Sequence, residues 1–211
     1  MTAIDNLILR YPALRGCREA ILEAYLMLVA CYESDGKLLV AGNGGSAADA
    51  EHIVGEMMKK GFVRKDISPE YKEALMQADP EMGSELSRCL EGSLMAIALH
   101  GHPSLTTAYM NDRDPLLCFA QQVSGYGRPG DVFLAISTSG SSRNVLYAAV
   151  AAKARGMKVI SLTGGRPSRL QELSDICISV PETETYKVQE LHLPVYHCIC
   201  MMLEQHFFGN Q

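Results

Sequence analysis

Short apolar runs alternate with amphipathic segments along most of this chain. Apolar runs of four to six residues are typical of strands that a parallel sheet buries on both faces. The runs predict strands at 37–41, 94–99, 131–136, 158–162 and 176–180. Helical spacing of apolar positions predicts helices at 46–58, 103–110, 115–123, 144–155, 168–173 and 188–208, with residues 111–112 in a loop. This alternation favours a three-layer α/β/α sandwich with a five-stranded parallel sheet.

Two regions stand apart from this alternation. Residues 1–34 predict an N-terminal helical segment that Pro12 and Gly16 divide into two helices. Residues 60–92 carry many charges and few apolar positions, with short helices expected at 70–76 and 84–90. We interpret residues 60–92 as a helical surface excursion that acts as a lid or an interface arm. The chain is otherwise expected to form one domain over residues 1–211, with a kink at Pro194 in the closing helix.

Composition narrows the class of protein. The 211 residues have a net charge of −5, which argues against nucleic-acid binding. No apolar run approaches the length of a membrane span, and the first residues do not resemble a signal peptide. The seven cysteines are scattered, odd in number and mostly in apolar segments, so reduced thiols in a cytoplasmic protein are expected.

A glycine-rich loop follows the first predicted strand. Gly42, Gly44 and Gly45 permit positive φ and the close approach of a ligand, with Asn43 between them. Ser46 is expected to cap the helix that follows. Free N–H groups at a helix start attract anions, phosphate among them.

A second loop of hydroxyl residues follows the third predicted strand, at 137–142. Its hydroxyls and the next helix start could supply donors to phosphate oxygens. The alternative is a Ser/Thr-rich turn that only caps a helix, but two such loops together favour anion binding through mostly neutral donors. Walker A is excluded because neither loop contains Gly-Lys-Ser/Thr, and Ala47 stands where the dinucleotide fingerprint needs its later glycine.

Histidine and glutamate side chains form the third signal. His52 and Glu56 stand four residues apart and therefore share one face of a helix. Gln189, His192 and His197 lie within a few turns of the closing helix. Each group alone is more often an ordinary helix pair or a hydrogen-bonded histidine. Together with two anion loops, they suggest a site whose nitrogen and oxygen ligands suit zinc or a similar cation.

These motifs together resemble the sugar isomerase (SIS) domain, and within it the phosphoheptose isomerases. The match covers most of the chain and rests on the order and spacing of its motifs. The motifs are 41–46 with His52 and Glu56, Asn111-Asp112, 130–132, 136–142, and Gln189-Glu190 with His197.

The resemblance implies a flavodoxin-like SIS fold and an aldose–ketose isomerase acting on sedoheptulose 7-phosphate, with roles for particular residues. By position, Glu56 and His197 match the catalytic acid/base pair. His52, Glu56, Gln189 and His197 match the metal-site residues of zinc-containing members. The positions that match substrate-binding residues are Asn43, Gly44, Ser46, Asp112, Ser137, Thr138, Ser139, Ser142 and Gln189. The resemblance further implies a homotetramer with active sites between subunits.

Two departures leave alternatives open. Tyr186 stands where some members carry an acidic residue, and the excursion at 60–92 is longer than in compact members. An isomerase of another ketose phosphate would fit these differences. A binding protein that keeps the phosphate loops, either sensing a phosphosugar or binding a replication initiator, is the second alternative, against which the Glu56, Gln189 and His197 set argues.

Overall fold

The computed structural model describes residues 1–59, 61–63 and 65–209, and its centre is a five-stranded parallel sheet. The strands are β1 (Leu38–Ala41), β2 (Ala96–Ala98), β3 (Val132–Ile136), β4 (Lys158–Thr163) and β5 (Ile176–Ser179). Their order across the sheet is β2-β1-β3-β4-β5. Leu38 of β1 pairs with Ala96 of β2 on one side and with Val132 of β3 on the other. The sheet therefore grows outward from β1 and β3 in both directions.

Helices connect the strands and cover both faces of the sheet. They are α1 (Ala3–Arg10), α2 (Arg18–Glu33), α3 (Gly45–Met58), α4 (Pro69–Ala78), α5 (Pro80–Cys89), α6 (Pro103–Asp112), α7 (Cys118–Tyr126), α8 (Arg143–Ala154), α9 (Arg169–Leu173) and α10 (Thr185–Phe208). Short 3-10 turns at Pro12–Cys17 and Pro115–Leu117 precede α2 and α7. Among the described residues, no helix is both long enough and apolar enough to cross a membrane.

Alternate residues of the strands pack into two separate hydrophobic cores, because successive side chains of a strand point to opposite faces of the sheet. On one face, Leu38 and Val40 of β1 pack with residues of α1, α2, α3 and α10. On the other face, Leu39 and Ala41 pack with residues of α7, α8 and α9. Both sets are buried, which explains why the sequence of β1 is a continuous apolar run. The predicted three-layer fold with a parallel sheet is confirmed.

Several predicted boundaries differ from the structure. Strand β2 has three residues rather than six; it lies at the sheet edge and pairs only with β1. The prediction of a loop at Asn111-Asp112 was wrong, since both residues form the end of α6. Helix α10 begins at Thr185, three residues early, and continues through Pro194 to Phe208.

The excursion contains a hairpin of α4 and α5; its residues 60 and 64 lie outside the described residues. Helix α5 begins at Pro80, earlier than expected, because Asp79 accepts hydrogen bonds from two N–H groups of its first turn. The two helices pack closely at Gly83, where an added Cβ would stand 2.1 Å from the carbonyl oxygen of Leu75. Helix α4 has no buried residue along its described length, so the hairpin is held mainly by its own packing.

A buried ion pair fixes the chain just after α3. Lys65 Nζ lies 2.7 Å from Glu204 Oε1, and both side chains are fully buried. The ammonium also donates to the carbonyl oxygens of Glu56 and Lys59 at the end of α3. The Glu204 carboxylate accepts backbone N–H bonds from residues 61, 62 and 63. These contacts hold the segment that passes directly beside the Glu56 side chain.

Candidate active site

The two predicted anion loops lie side by side at the carboxyl edge of the sheet. The glycine loop follows β1 and the hydroxyl loop follows β3, and these strands are neighbours. The chain leaves β1 toward the edge strand β2 and then returns to β3, so the strand order reverses between them. Parallel α/β sheets bind ligands at this reversal point. The topology therefore brings the loops together, as the sequence led us to expect.

A reciprocal pair of amides joins the two loops. Asn43 Nδ2 donates to Asn144 Oδ1 at 2.9 Å, and Asn144 Nδ2 donates to Asn43 Oδ1 at 2.8 Å. Asn144 lies in the first turn of α8, directly after the hydroxyl loop. Sequence reasoning had no means to pair it with a residue 101 positions away. This pair fixes the distance between the two halves of the predicted phosphate site.

The glycine loop needs its glycines for backbone reasons. Gly44 has a φ of +57° and is the N-cap residue of α3, so the prediction that Ser46 caps this helix was wrong. Ser46 is instead buried one residue inside the helix. A Cβ on Gly42 would stand 2.7 Å from Ser46 Cβ, and a Cβ on Gly45 would stand 2.5 Å from Gln189 Nε2. Gly42 thus lets the loop pass close to the first turn of α3, and Gly45 leaves room for the Gln189 amide of α10.

The hydroxyl loop presents its side chains in two groups. Ser137 Oγ and Ser142 Oγ form a hydrogen bond of 3.0 Å, and Ser139 Oγ accepts from the hydroxyl of Ser141. Thr138, Ser139 and Ser141 border a cavity of about 450 Å³ that Arg166 and Arg169 also line. Two cations therefore face the same cavity as the hydroxyls, although Arg169 is paired with Glu172. The hydroxyls and the two arginines can supply donors to an anion, and the two cations add to the mostly neutral donors expected from the sequence.

His52, Glu56 and His197 converge into one cluster. His52 Nε2 lies 3.4 Å from Glu56 Oε1 and 3.4 Å from His197 Nε2. All three ligand atoms lie within 4.8 Å of one another. Zinc ligands at about 2.0–2.1 Å from the metal stand roughly 3.4 Å apart in a tetrahedron. The spacing and the donor types of this cluster therefore fit a divalent cation.

Electrostatics favour the neutral form of one member of the cluster. Burial, with a contribution from His52, lowers the pKa of His197, and Glu56 only partly opposes this. A neutral imidazole can ligate a metal or accept a proton. Glu56 Oε2 is buried without a hydrogen-bond partner among the described groups, beside Gly61. A buried carboxylate oxygen without a hydrogen-bond partner also fits a role in binding a cation or in transferring a proton.

Two predicted site residues do not join this cluster through the described contacts. Asp112 is exposed at the end of α6 and accepts a hydrogen bond from its neighbour Asn111. Gln189 lies on α10 with its amide against Gly45, at the opposite end of α3 from Glu56. Gln189 thus stands beside the glycine loop, a position that suits its predicted role in binding the substrate.

Three further residues near the site were not predicted from the sequence. His100 Nε2 lies 2.8 Å from the carbonyl oxygen of Gly42, and so supports the glycine loop from the turn after β2. Tyr196 OH lies 3.0 Å from His52 Nδ1 and 3.2 Å from Asp49 Oδ1. Asp49 is three residues before His52, a helical spacing that could have marked it as a neighbour.

His192, which we grouped with the closing-helix residues, belongs to the core. It is fully buried and its Nε2 lies 3.2 Å from the carbonyl oxygen of Thr163. Burial lowers its pKa to about 4, against 6.5 for an unperturbed histidine, while the Thr163 contact partly opposes this. The folded protein therefore holds the neutral imidazole.

The stability of the protein is expected to fall in acid because of His192. The His192 imidazole binds a proton near pH 6.5 in the unfolded chain and only near pH 4 in the folded protein. The contribution of His192 to stability is therefore fully present above pH 6.5 and is lost as the pH falls toward 4. This group would contribute a loss of about 3 kcal/mol. In a His192→Gln variant, the free energy of unfolding measured with urea should depend less steeply on pH across this range. An unchanged dependence would contradict the assignment.

Comparison with known proteins identifies the class that this fold and site define. A family model of the SIS domain matches residues 85–164. The chain is 38% identical to the phosphoheptose isomerase of Rhodospirillum rubrum over 90% of its length and 88% of the relative. It is 35% identical to that of Helicobacter pylori, with 97% of both chains covered. The chain is therefore a SIS-domain protein.

Solved structures agree with the sequence comparison. A phosphoheptose isomerase from Neisseria gonorrhoeae aligns with a TM-score of 0.73 and 32% identity over 92% of each chain. One from Francisella tularensis aligns with the same TM-score and 31% identity over 97% of this chain and all of the other. The chain belongs to the phosphoheptose isomerase family, whose members are aldose–ketose isomerases.

Proposed function

We propose that this enzyme interconverts sedoheptulose 7-phosphate and the corresponding aldose, a heptose 7-phosphate. The convergence of Glu56 with His52 and His197, close to two loops suited to phosphate, is the observation that carries the proposal. The reaction moves one proton between C1 and C2 and another between the two oxygens. It needs a base near both carbons and an acid/base group at the oxygens.

The loops would hold the phosphate far from the reacting carbons. Ser46, Ser137, Thr138, Ser139 and Ser142 are the residues that we assign to the phosphate. Asn43, Gly44, Asp112 and Gln189 are assigned to the sugar. Hydrogen bonds to the phosphate supply binding energy and fix the position of C1 and C2. The joined amides of Asn43 and Asn144 support this assignment, since they make the two loops one unit.

Glu56 would carry out the carbon proton transfer. Its carboxylate takes the C1 proton of the ketose, the C1–C2 enediol forms, and the same proton returns at C2. His197 transfers the proton between the O1 and O2 oxygens, and its lowered pKa keeps a lone pair available for this step. A base that serves both carbons must lie on one face of the enediol, and a single carboxylate meets that need.

We further propose that His52, Glu56, Gln189 and His197 hold a zinc ion or a similar divalent cation. Such an ion would supply Lewis-acid polarisation of the substrate carbonyl. The 3.4 Å spacings around His52 Nε2 support three of the four ligands. Gln189 is included on the family resemblance alone, because its amide lies against Gly45 and not in the cluster.

The enzyme is also proposed to be a cytoplasmic homotetramer with active sites between subunits. Seven free cysteines fit a reducing compartment. Large apolar side chains stand exposed on α4 and α5, with Met82 at 61% and Tyr71 at 50%. A second subunit would remove such surface from water. Light scattering on the purified protein measures the assembly directly.

Turnover of sedoheptulose 7-phosphate tests the function. We expect the purified protein to form the aldose, detected by NMR, and to lose most of its activity after chelation and dialysis. Added zinc should restore it. A panel of other ketose phosphates tests whether Tyr186 and the longer excursion accompany a different substrate. Phosphosugar binding without turnover of any member of the panel would identify a binding protein instead.

A further inference from the structure

Two side chains, Tyr196 and Asp49, lie behind the His52 imidazole. Tyr196 is 2% exposed and stands on α10 directly before His197. Its hydroxyl contacts Asp49 Oδ1 at 3.2 Å and His52 Nδ1 at 3.0 Å. Asp49 and His52 lie on the same face of α3, so the phenol bridges two residues of one helix. The His52 nitrogen that it contacts is the one facing away from Glu56 and His197.

The protons available on Tyr196, Asp49 and His52 decide which group donates each of these hydrogen bonds. A phenol has one proton to donate, and an ionised carboxylate can only accept. A phenol keeps its proton at neutral pH, because its ordinary pKa is about 10. If that proton goes to Asp49, the phenol oxygen accepts from the Nδ1–H of His52. The His52 Nε2 atom is then a bare lone pair.

The reverse direction is less favourable. A phenol that donated to His52 Nδ1 would leave the half-buried Asp49 carboxylate facing an oxygen lone pair. Asp49 Oδ2 already has no hydrogen-bond partner among the described groups. Burying a carboxylate without a donor costs more than losing one neutral hydrogen bond. The Asp49 charge therefore favours the first direction. Glu56 Oε1, 3.4 Å from His52 Nε2, favours the opposite tautomer, but the contacts on the Nδ1 side are shorter, and the Nε2–H of His197 can donate to the His52 Nε2 lone pair at 3.4 Å.

We propose that Asp49 and Tyr196 are positioning residues that hold His52 as its Nδ1–H tautomer and so aim the Nε2 lone pair at Glu56 and His197. The inference rests on the proposed cation site for its purpose, but the tautomer is a property of the metal-free protein. In metal sites, a histidine ligand usually donates its other N–H to such a partner, which fixes the ring and the tautomer. Here the partner is a phenol that a carboxylate orients.

Tyr196→Phe removes the hydroxyl and keeps the buried ring. We expect the zinc affinity, measured by competition with a chromophoric chelator, to fall about 10- to 100-fold. In metal-free protein, ¹⁵N NMR of His52 should change from the Nδ1–H tautomer to a mixture. Asp49→Asn should change both readouts in the same direction, because the phenol is then free to donate to His52. Asp49 is only half-buried, so this second variant tests the idea even if the first folds poorly.

Tyr25→Phe is the matched control. Tyr25 OH lies 3.3 Å from His206 Nδ1, a second tyrosine–histidine contact that is exposed and joins α2 to α10 without a residue of α3. This variant should leave the zinc affinity and the His52 spectrum unchanged.

An Nε2–H tautomer of His52 in the metal-free wild type, or unchanged zinc affinity and tautomer in folded Tyr196→Phe and Asp49→Asn, would overturn the inference. Failure of the proposed function appears differently. It would be a wild type that isomerises no ketose phosphate while its His52 still shows the Nδ1–H tautomer, a result that leaves the positioning role standing.

Discussion

Replacing Glu56 with Gln is expected to lower kcat for sedoheptulose 7-phosphate by about 10³-fold or more, because general-base catalysis contributes about 10²–10⁴-fold. The amide cannot accept the substrate proton, yet its oxygen can still face His52 as a ligand. The volume of the side chain hardly changes, so the contact with Gly61 survives. The substitution therefore separates proton transfer from the shape of the site.

The measurement is kcat together with phosphosugar affinity by calorimetry. We expect affinity to stay within about threefold, since binding energy comes mainly from the loops at the other end of the substrate. Glu51→Gln, an exposed change on the same helix, should alter neither quantity. Equal losses of turnover and of binding in Glu56→Gln would assign this residue to substrate binding rather than to base catalysis.

Replacing Lys65 with Met is expected to reduce the free energy of unfolding by about 3–5 kcal/mol. The change leaves the Glu204 carboxylate buried without its partner cation, which is the costly way to break a buried pair. Burial alone would raise the pKa of Glu204, but Lys65 and the N–H groups of residues 61 and 62 lower it. The folded structure thus depends on a charged Glu204 at neutral pH.

Urea denaturation at pH 7 measures this loss. Lys158→Met is the matched control, because Lys158 forms an ion pair with Asp175 in which 60% of its own side chain is exposed. Exposed pairs contribute about 0–1 kcal/mol, so the control should change little. A loss for Lys65→Met no greater than for the control would show that the buried pair is dispensable. Loss of the pair should also lower turnover, since Lys65 holds the carbonyl oxygen of Glu56.

Local patterns were enough to predict most elements of the fold. An apolar run such as 38–41 can only be a buried strand or part of a buried helix, and the flanking glycines decide between them. The predicted ends of helices were wrong where a capping residue or a proline shifted the start of a helix. Asp79 with Pro80 moved the start of α5, and Gly44 took the capping position expected of Ser46.

The site was predictable only in part, for a physical reason. His52 and Glu56 share a helix face at a fixed spacing, so their proximity follows from helical geometry. Nothing local says that His197 meets them, because that contact depends on how α10 crosses α3. The family resemblance supplied this expectation, and in the structure the three residues lie together.

The sequence by itself determined the strands, the glycine and hydroxyl loops, and the His52/Glu56 pair, since each depends on neighbours within a few residues. Only the tertiary structure decided which strands are adjacent, that Asn43 pairs with Asn144, and that Tyr196 connects Asp49 to His52. It also decided that Lys65 and Glu204 are buried together. These side-chain contacts join residues from 101 to 147 positions apart, so chain packing rather than local preference sets them.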